Sequence, residues 1–376
     1  MTLAIDALRR GGAVDPAAVQ AFLDGHAFPV VEDTRVTFAY RGAADAVRLR
    51  HWIYGLPSSM PLERVGRTDL WCLVIELPHG SRLEYKLEIE AGGQRTLIMD
   101  PLNPLVSHAP MGSNSVCHAT GYETPEWVAR DDEARPGELE DVSILDPAGE
   151  RRVTVYLPAR FRRSRRYPLL VVHDGEDYLR FAALKTVLDN LIHRLEIPSM
   201  VVALTQSPDR LREYADDPAH ARFLAERLVP HLERRYPLVA ESSGRGLMGA
   251  SFGAVASLSA AWRHPGRFGR LLLQSGSFAF TDIGEQRRGP LFDPVVKFVN
   301  AFRAEPGNPA DRIFMSCGMY ESLIYENRSM VPLLQATGME IRYAEARDGH
   351  NWESWRDRLR EGLSWLFPGP LWLVYE

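Results

Sequence analysis

A serine between two glycines is the feature of this sequence with the clearest chemical meaning. Ser251 stands at the centre of GASFG, which matches the pattern G-x-S-x-G after the apolar run RGLM and before a helical pattern. A sharp strand-to-helix turn needs small residues at 249 and 253, because side chains there would collide with neighbouring backbone. The motif alone also fits an ordinary tight turn. In this context it predicts that Ser251 is a nucleophile raised on a strained backbone.

A serine hydroxyl needs a general base, and two histidines follow Ser251 in the chain. His264 lies at the end of the helical pattern that begins after the serine, so it is expected to cap that helix or to lie on the surface. His350 lies in a glycine-containing loop after the strand pattern EIRYAEA. Open α/β sheets place their catalytic groups in such loops. We therefore predict that His350 is the base.

The carboxylate that orients the base is expected between the serine and the histidine, after a strand. Glu321 meets this condition, since it follows the strand pattern IFMSCG at a turn. Asp311 precedes that strand, and Glu326 falls on the following helical pattern. Asp348 is too close in sequence to His350 to be an easy partner. The prediction is Glu321, which would fix the imidazole tautomer and stabilise the imidazolium.

Two backbone N–H groups are predicted to hold the oxyanion that forms during acyl transfer. One belongs to Phe252, at the start of the helical pattern after the serine. The other belongs to Glu176, or to Asp177, after the apolar strand pattern LLVVHDG. The segment HDGED also fits a solvated acidic loop or a metal site. The structural interpretation is preferred, so no metal and no cofactor are expected.

Two different patterns along the chain must supply the elements that position these residues. Residues 26–120 contain short alternating runs such as LEYKLEIE, bounded by turn residues, which predict a small all-β sandwich. Later, apolar runs alternate with helical patterns, which predicts an α/β fold with a mostly parallel sheet covered on both faces. The predicted division is a β domain at 1–125, a linker at 126–140 and a catalytic domain at 141–376.

Composition limits the classes of function. The chain of 376 residues has 49 acidic and 44 basic residues, and its net charge of −5 does not favour a nucleic-acid binder. Three cysteines without CxxC spacing predict free thiols in a reducing compartment. The sequence shows neither a signal-peptide pattern nor a membrane-spanning apolar run, so a cytoplasmic protein is expected. A homodimer is one of the states that the sequence leaves open.

Five segments together resemble the enterochelin esterase and esterase-D-like family of α/β-hydrolases. They are LLVVHDGEDY, DRLREY, GLMGASFGAVASL, CGMYES and DGHNWESWRDRL, and the resemblance covers about residues 140–365. It implies Ser251, Glu321 and His350 as the catalytic triad of a serine carboxylic-ester hydrolase. The front half is similar to the immunoglobulin-like N-terminal domain of cytosolic ferric enterochelin esterases. That similarity implies a lid or a substrate-binding domain.

The resemblance implies a small-molecule ester as the substrate, with a ferric siderophore as one candidate. Arg210 and Arg212 lie in DRLREY and could bind such an anion through their guanidinium groups. They could instead pair with Glu213 or Asp216 on the surface.

Two alternatives to this substrate class remain at the level of sequence. The first is a polysaccharide-linked acyl esterase that acts on feruloyl or acetyl groups. The second is a glycan-binding module, with Trp52 and Trp71 as candidate stacking residues. Aromatic residues on strands are more often part of a core.

Overall fold

The computed structural model describes residues 2–10, 15–147, 149–281 and 286–370. The chain forms two compact units. The first unit contains the residues up to Thr124 and two short later segments, Gly318–Glu321 and Ala346–Asn351. The second unit contains Pro125–Cys317, Ser322–Glu345 and the residues from Trp352 onward. The predicted acid and base therefore belong to the first unit, and the predicted nucleophile belongs to the second.

The first unit begins with two short helices, α1 (Ala4–Arg10) and α2 (Pro16–Asp24). The Asp15 side chain caps α2 by accepting a hydrogen bond of 3.0 Å from the Ala17 N–H, and Pro16 follows at the first helical position. The strands that follow are β1 (Val30–Glu32), β2 (Arg35–Arg41), β3 (Ala46–His51), β4 (Ser59–Pro61), β5 (Glu63–Arg64), β6 (Leu70–Glu76), β7 (Arg82–Ala91), β8 (Gln94–Ile98), β9 (Val106–Ala109) and β10 (Gly112–His118).

These strands form two antiparallel sheets within the described part of the first unit. One has the order β1-β2-β6-β5, and the other has the order β4-β3-β7-β10-β9, with β8 paired to β7. Apolar side chains alternate along β7 and meet those of β2 and β6 in one buried cluster. Phe38 of β2 and Tyr85 of β7 show this contact, with ring centroids 4.8 Å apart. The prediction of an all-β N-terminal region is confirmed.

An eight-stranded mixed sheet runs through the second unit. Its strands are β11 (Glu138–Asp146), β12 (Gly149–Leu157), β13 (Leu169–Val172), β14 (Val201–Thr205), β15 (Arg245–Ala250), β16 (Arg270–Gln274), β17 (Arg312–Gly318) and β18 (Glu340–Ala346). The order is β11-β12-β14-β13-β15-β16-β17-β18. β11, β12 and β14 pair antiparallel, whereas β14, β13, β15, β16 and β17 pair in parallel. β13 and β14 are buried along their whole length, as their continuous apolar sequences require.

Helices connect the parallel strands, which confirms the predicted α/β fold. They are α3 (Gly175–Phe181), α4 (Leu184–His193), α5 (Arg210–Glu213), α6 (Pro218–Arg222), α7 (Val229–Arg235), α8 (Phe252–Arg263), α9 (Asp293–Ala304), α10 (Ile324–Gln335), α11 (Trp352–Arg356) and α12 (Leu359–Leu366). Short 3₁₀ helices lie at Glu126–Val128, Ser242–Gly244 and Pro290–Phe292. A π-helical segment, Phe223–Leu228, joins α6 to α7, where Pro230 has no N–H to donate. No described helix has the length and apolar character needed to cross a membrane.

Candidate active site

Ser251 occupies the single-residue turn between β15 and α8. Its backbone has φ 58° and ψ −120°, a conformation that is costly for a residue with a side chain. The surrounding structure holds it there, since the Ser251 N–H donates to the Gln274 carbonyl at 2.9 Å. Ser251 is half-buried, so its hydroxyl is not sealed inside the core. The strand, the strained residue and the helix lie where the sequence predicts them.

The glycines around this serine have different reasons for being small. A Cβ at Gly249 would lie 2.4 Å from the backbone of Gly253, so no other residue fits that position without moving the turn. A Cβ at Gly253 would lie 3.2 Å from the Cβ of His173, which is tight but leaves room for a small shift. The steric explanation predicted from the sequence therefore holds fully at Gly249 and more weakly at Gly253.

A second serine, which the sequence interpretation missed, faces the first. Ser277 is buried, and its Oγ lies 3.2 Å from the Oγ of Ser251. Its N–H donates to the Ser251 carbonyl at 3.2 Å. Ser277 follows β16 in the segment QSGS, and its position after a parallel strand was the signal that could have identified it. The contact gives the Ser251 hydroxyl a polar neighbour in the second unit.

The QSGS loop is held by buried side chains rather than by regular structure. Asn327 of α10 accepts a hydrogen bond from the Gly276 N–H at 3.0 Å and donates to the Gly276 carbonyl at 2.8 Å. The Trp355 indole N–H donates to the Ser275 Oγ at 2.9 Å. These contacts fix the loop against which the strained serine packs.

The two predicted oxyanion donors lie in the first turns of two helices of the second unit. Phe252 is the first residue of α8, and Glu176 is the second residue of α3. Backbone N–H groups in a first helical turn have no acceptor within their own helix. A Cβ at Gly253 would lie 3.6 Å from the Asp174 carboxylate that precedes α3, so the starts of the two helices are close together. This arrangement is compatible with donors that converge on one oxygen.

His350 and Glu321 contact each other within the first unit. His350 Nδ1 lies 2.6 Å from Glu321 Oε2, and the other carboxylate oxygen accepts a hydrogen bond of 2.7 Å from the Gly318 N–H. The Glu321 side chain is 1% exposed, whereas that of His350 is 37% exposed. An Nδ1–H that donates to the carboxylate leaves Nε2 as the basic nitrogen of the neutral ring. The pair has the chemistry of an oriented general base.

The other candidate acids have different partners. Asp311 pairs with Arg270 at 3.2 Å, and Glu326 pairs with Arg288. Asp348 contacts Arg82 rather than the imidazole. His264, the other histidine after the nucleophile, ends the 12-residue helix α8, about 18 Å of helix from its start.

His173 and Asp174 of the HDGED segment are buried and contact neighbouring side chains. His173 is buried, with Nε2 lying 3.1 Å from His220 Nε2 and Nδ1 lying 3.0 Å from Ser257 Oγ. Burial, followed by the charge of His220, holds the pKa of His173 well below its usual range. Asp174 is buried too, and burial raises its pKa against the opposing effect of Arg210. In the described ranges, no group of three or more histidine, cysteine, aspartate or glutamate residues has an arrangement that could hold a metal ion.

Arg210 and Arg212 differ in their surroundings. Arg210 Nε lies 2.8 Å from the buried Asp174 carboxylate, which balances its charge. Arg212 pairs with Asp209 at 2.9 Å and with Asp217 at 3.5 Å, and its side chain is 66% exposed. Arg212 Nη2 also lies 4.0 Å from Glu213 Oε1, so one of the two pairings considered from the sequence, that with Glu213, is present, in addition to the pairs with Asp209 and Asp217.

The two tryptophans considered for glycan stacking also differ. Trp71 is buried in the sandwich core, and its indole N–H donates to the Gly42 carbonyl at 3.2 Å. Trp52 is 56% exposed. The three cysteines, Cys72, Cys117 and Cys317, are buried.

Comparisons with known proteins cover both halves of the chain. The "Putative esterase" family model matches residues 146–366. An iron(III) enterobactin esterase from Escherichia coli O6:H1 is 25% identical over 345 residues, which cover 82% of this chain and 81% of that protein. The crystal structure of an enterobactin esterase from Shigella flexneri in the presence of enterobactin has a TM-score of 0.73 at 20% identity, and covers 95% of this chain and 98% of that chain. A ferulic acid esterase from Anaeromyces mucronatus has a TM-score of 0.52 at 16% identity, and covers 64% of this chain and 94% of that chain.

Proposed function

Because this chain belongs to the Esterase family and is therefore an esterase, we propose that it hydrolyses carboxylic esters through Ser251, His350 and Glu321. The observation that carries the proposal is the 2.6 Å contact between His350 Nδ1 and Glu321 Oε2. The orienting acid and the general base were assigned separately from the sequence. They contact each other through a carboxylate oxygen and the imidazole Nδ1, which are the atoms that these two roles require. The strained backbone of Ser251 supports its assignment as the nucleophile.

In the first half-reaction, Ser251 Oγ attacks the ester carbonyl carbon while His350 Nε2 takes the hydroxyl proton. Glu321 stabilises the imidazolium that forms. The N–H groups of Phe252 and Glu176 donate to the negatively charged oxygen of the tetrahedral intermediate. The intermediate then breaks its bond to the alcohol oxygen, which receives the proton from the imidazolium. The products of this step are the free alcohol and an acyl group on Ser251.

In the second half-reaction, a water molecule attacks the acyl carbon while His350 Nε2 takes one of its protons. The same N–H groups stabilise the second oxyanion. The bond to Ser251 Oγ breaks, and the serine oxygen recovers a proton from the imidazolium. The carboxylic acid leaves, and the nucleophile and the base return to their starting states.

The proposed substrate is an anionic siderophore ester. The E. coli relative, whose name is iron(III) enterobactin esterase, matches this chain over both units, which supports a substrate of that class. An anionic ferric catecholate would need positive charge from the protein, and we propose Arg212 and Arg210 as contacts. Arg212 is the better placed of the two, because its guanidinium is exposed.

The test of the function uses four substrates: p-nitrophenyl acetate, p-nitrophenyl butyrate, methyl ferulate and iron(III) enterobactin. Wild-type protein is expected to hydrolyse the p-nitrophenyl esters and to open the siderophore ester, while folded Ser251→Ala does neither. Equal turnover by Ser251→Ala would refute the serine mechanism. Rapid hydrolysis of methyl ferulate together with an intact siderophore would instead assign the alternative, a feruloyl esterase.

The Arg212 assignment has its own measurement. In Arg212→Ala, the KM for iron(III) enterobactin is expected to rise roughly fivefold, the effect of losing about 1 kcal/mol from one exposed charge contact. The KM for neutral p-nitrophenyl acetate should not change. An equal increase of KM for both substrates would show that Arg212 does not bind the negative charge of the substrate.

A further inference from the structure

Two loops of the first unit carry the proposed acid and base. We call Gly318–Glu321 the acid loop and Ala346–Asn351 the base loop. Backbone hydrogen bonds join them, and the shorter one, 2.7 Å long, runs from the Met319 N–H to the Ala346 carbonyl. The geometry of the imidazole–carboxylate pair therefore depends on how these two loops are held.

Arg82 contacts the base loop on both sides of His350. Arg82 is the first residue of β7, and its side chain is 0% exposed. Its Nη1 donates to the Asp348 carboxylate at 3.3 Å and to Asn351 Oδ1 at 3.0 Å. Its backbone N–H donates to the Arg347 carbonyl at 2.9 Å. One residue of the sandwich thus fixes the loop before and after the imidazole.

Asp348 connects Arg82 to the turn that carries His350. Its Oδ1 accepts a hydrogen bond of 2.7 Å from the Gly349 N–H and one of 2.8 Å from Asn351 Nδ2. Burial raises the pKa of Asp348 to about 6, although the Arg82 guanidinium acts in the opposite direction. Loss of Arg82 would leave this carboxylate buried without its cation, so the turn would have to open or take up a proton.

The far side of the Arg82 guanidinium is anchored in the sandwich. Nη2 donates to Glu84 Oε1 at 3.1 Å. Glu84 in turn accepts hydrogen bonds from the Ser107 hydroxyl of β9 at 2.7 Å and from the Asn114 amide of β10 at 2.8 Å. The guanidinium therefore bridges Glu84, which contacts two further strands, and the base loop.

The acid loop is attached to the same domain through Tyr320, the residue before Glu321. Its hydroxyl lies 2.5 Å from the Ser81 Oγ, and its ring packs against the sandwich core. Its carbonyl accepts a hydrogen bond of 2.8 Å from the Tyr54 N–H. Ser81 and Arg82 are adjacent, so one end of β7 holds both loops.

We propose that Arg82 is a positioning residue for His350, and that the N-terminal sandwich is the platform on which the acid and base loops are set. This inference rests on the proposed function, because it concerns the base of that reaction. Arg82 acts through Asp348 and Asn351 and is not itself a catalytic group. A planar guanidinium suits this task, since its fork reaches carboxylate and amide oxygens on both sides.

The test compares Arg82→Met with Arg48→Met. Arg48 lies on β3 of the same domain and pairs with Glu88 and Glu90, with no contact to either loop in its ion pairs. In Arg82→Met, kcat for p-nitrophenyl acetate is expected to fall about 10²-fold, the effect of a displaced catalytic group, while KM changes less than about threefold. Arg48→Met should stay within about twofold of wild type.

A spectroscopic readout separates positioning from general stability. The proton on His350 Nδ1, hydrogen-bonded to a buried carboxylate, should give a low-field proton resonance that is absent from His350→Gln. In folded Arg82→Met this resonance should broaden or vanish, whereas Arg48→Met should retain it. A kcat within about threefold of wild type in folded Arg82→Met, with the resonance unchanged, overturns the proposal.

Two further variants keep the result interpretable. If Arg82→Met does not fold, Asn351→Ala decides, because it removes a partner of Arg82 on the half-buried loop. A loss of about tenfold in its kcat supports the platform, and an unchanged kcat contradicts it. Full turnover by His350→Gln would mean that the proposed function itself fails. An inactive His350→Gln beside a fully active Arg82→Met would reject the platform alone.

Discussion

The turn that carries Ser251 and the loop that carries His350 are built in different ways. The serine turn is determined by its own neighbours, since Gly249 and Gly253 lie two residues away on either side and a Cβ at Gly249 would lie 2.4 Å from the Gly253 backbone. The histidine loop is determined from a distance, since Arg82 lies 266 residues before the Asp348 that it contacts. A local motif can therefore point to a candidate nucleophile, whereas the loop of the candidate base is held by a residue that is distant in the sequence.

The largest fall in kcat is expected from a substitution of the proposed base. His350→Gln should lower kcat by about 10⁴-fold or more, because the serine hydroxyl then has no acceptor for its proton. His264→Gln is the matched control, since His264 ends α8 far from the serine turn. Measured turnover of p-nitrophenyl acetate checks both variants. Comparable losses in the two would mean that the base was assigned to the wrong loop.

The next effect is expected at the orienting acid. Glu321→Gln should lower kcat roughly 10²- to 10⁴-fold, because an amide in place of the carboxylate can favour the wrong imidazole tautomer and cannot stabilise the imidazolium. Glu326→Gln is the control, since Glu326 pairs with Arg288 instead. Steady-state kinetics at neutral pH give the comparison. Near-normal turnover in Glu321→Gln would reduce the catalytic set to a Ser–His pair.

Sequence and structure agree most closely where the causes are local. The motif at Ser251, the start of α8 and the order of strand and loop that leads to Glu321 and His350 are all visible in nearby residues. Ser277 was missed because a serine after a strand is common and its significance comes from a contact across 26 residues. Arg82 was missed because nothing in LEYKLEIE or its flanks shows which loop the arginine will meet.

The same distinction applies to charged residues. Arg210 in DRLREY was predicted to bind substrate, with Glu213 or Asp216 as alternative partners. The structure pairs it with Asp174, 36 residues earlier, and Glu213 binds Arg151. Chain topology determines these partners, because each pair joins residues of different elements that become neighbours only in the folded structure. Sequence spacing alone does not identify an ion pair between separate elements.

The pH dependence of stability should reveal the buried Asp348 carboxyl group, through which Arg82 contacts the base loop. The folded-state pKa of Asp348 is about 6, against 3.8 for an unperturbed aspartate, with burial as the main cause and Arg82 and Glu84 as the charged neighbours. The folded state binds this proton more tightly, so the contribution of Asp348 to the free energy of unfolding should be largest below pH 4. It should fall by about 3 kcal/mol as the pH rises through 6.

Urea unfolding of wild type and Asp348→Asn between pH 4 and pH 7 checks this expectation. The difference between the two free energies of unfolding should change with pH, because asparagine does not titrate. A difference that stays constant over the whole range would contradict the perturbed carboxyl group.

The smallest expected effect is a difference in the free energy of unfolding between alanine substitutions at the two glycines of the serine turn. Gly249→Ala should lower the free energy of unfolding by about 1–3 kcal/mol, because its Cβ would meet the Gly253 backbone at 2.4 Å. Gly253→Ala should cost less, since its nearest neighbour is the His173 Cβ at 3.2 Å. Urea unfolding measures both. A reversed order would mean that crowding at Gly249 does not define the turn.

The assignment of Ser251 as the nucleophile is tested by identifying the serine that reacts with a fluorophosphonate. Peptide mass spectrometry of the labelled wild-type protein should place the adduct on Ser251, and His350→Gln and Glu321→Gln should label much more slowly. Adduct on Ser277 instead, or unmodified Ser251 in a fully inhibited enzyme, would contradict the assignment of Ser251 as the nucleophile.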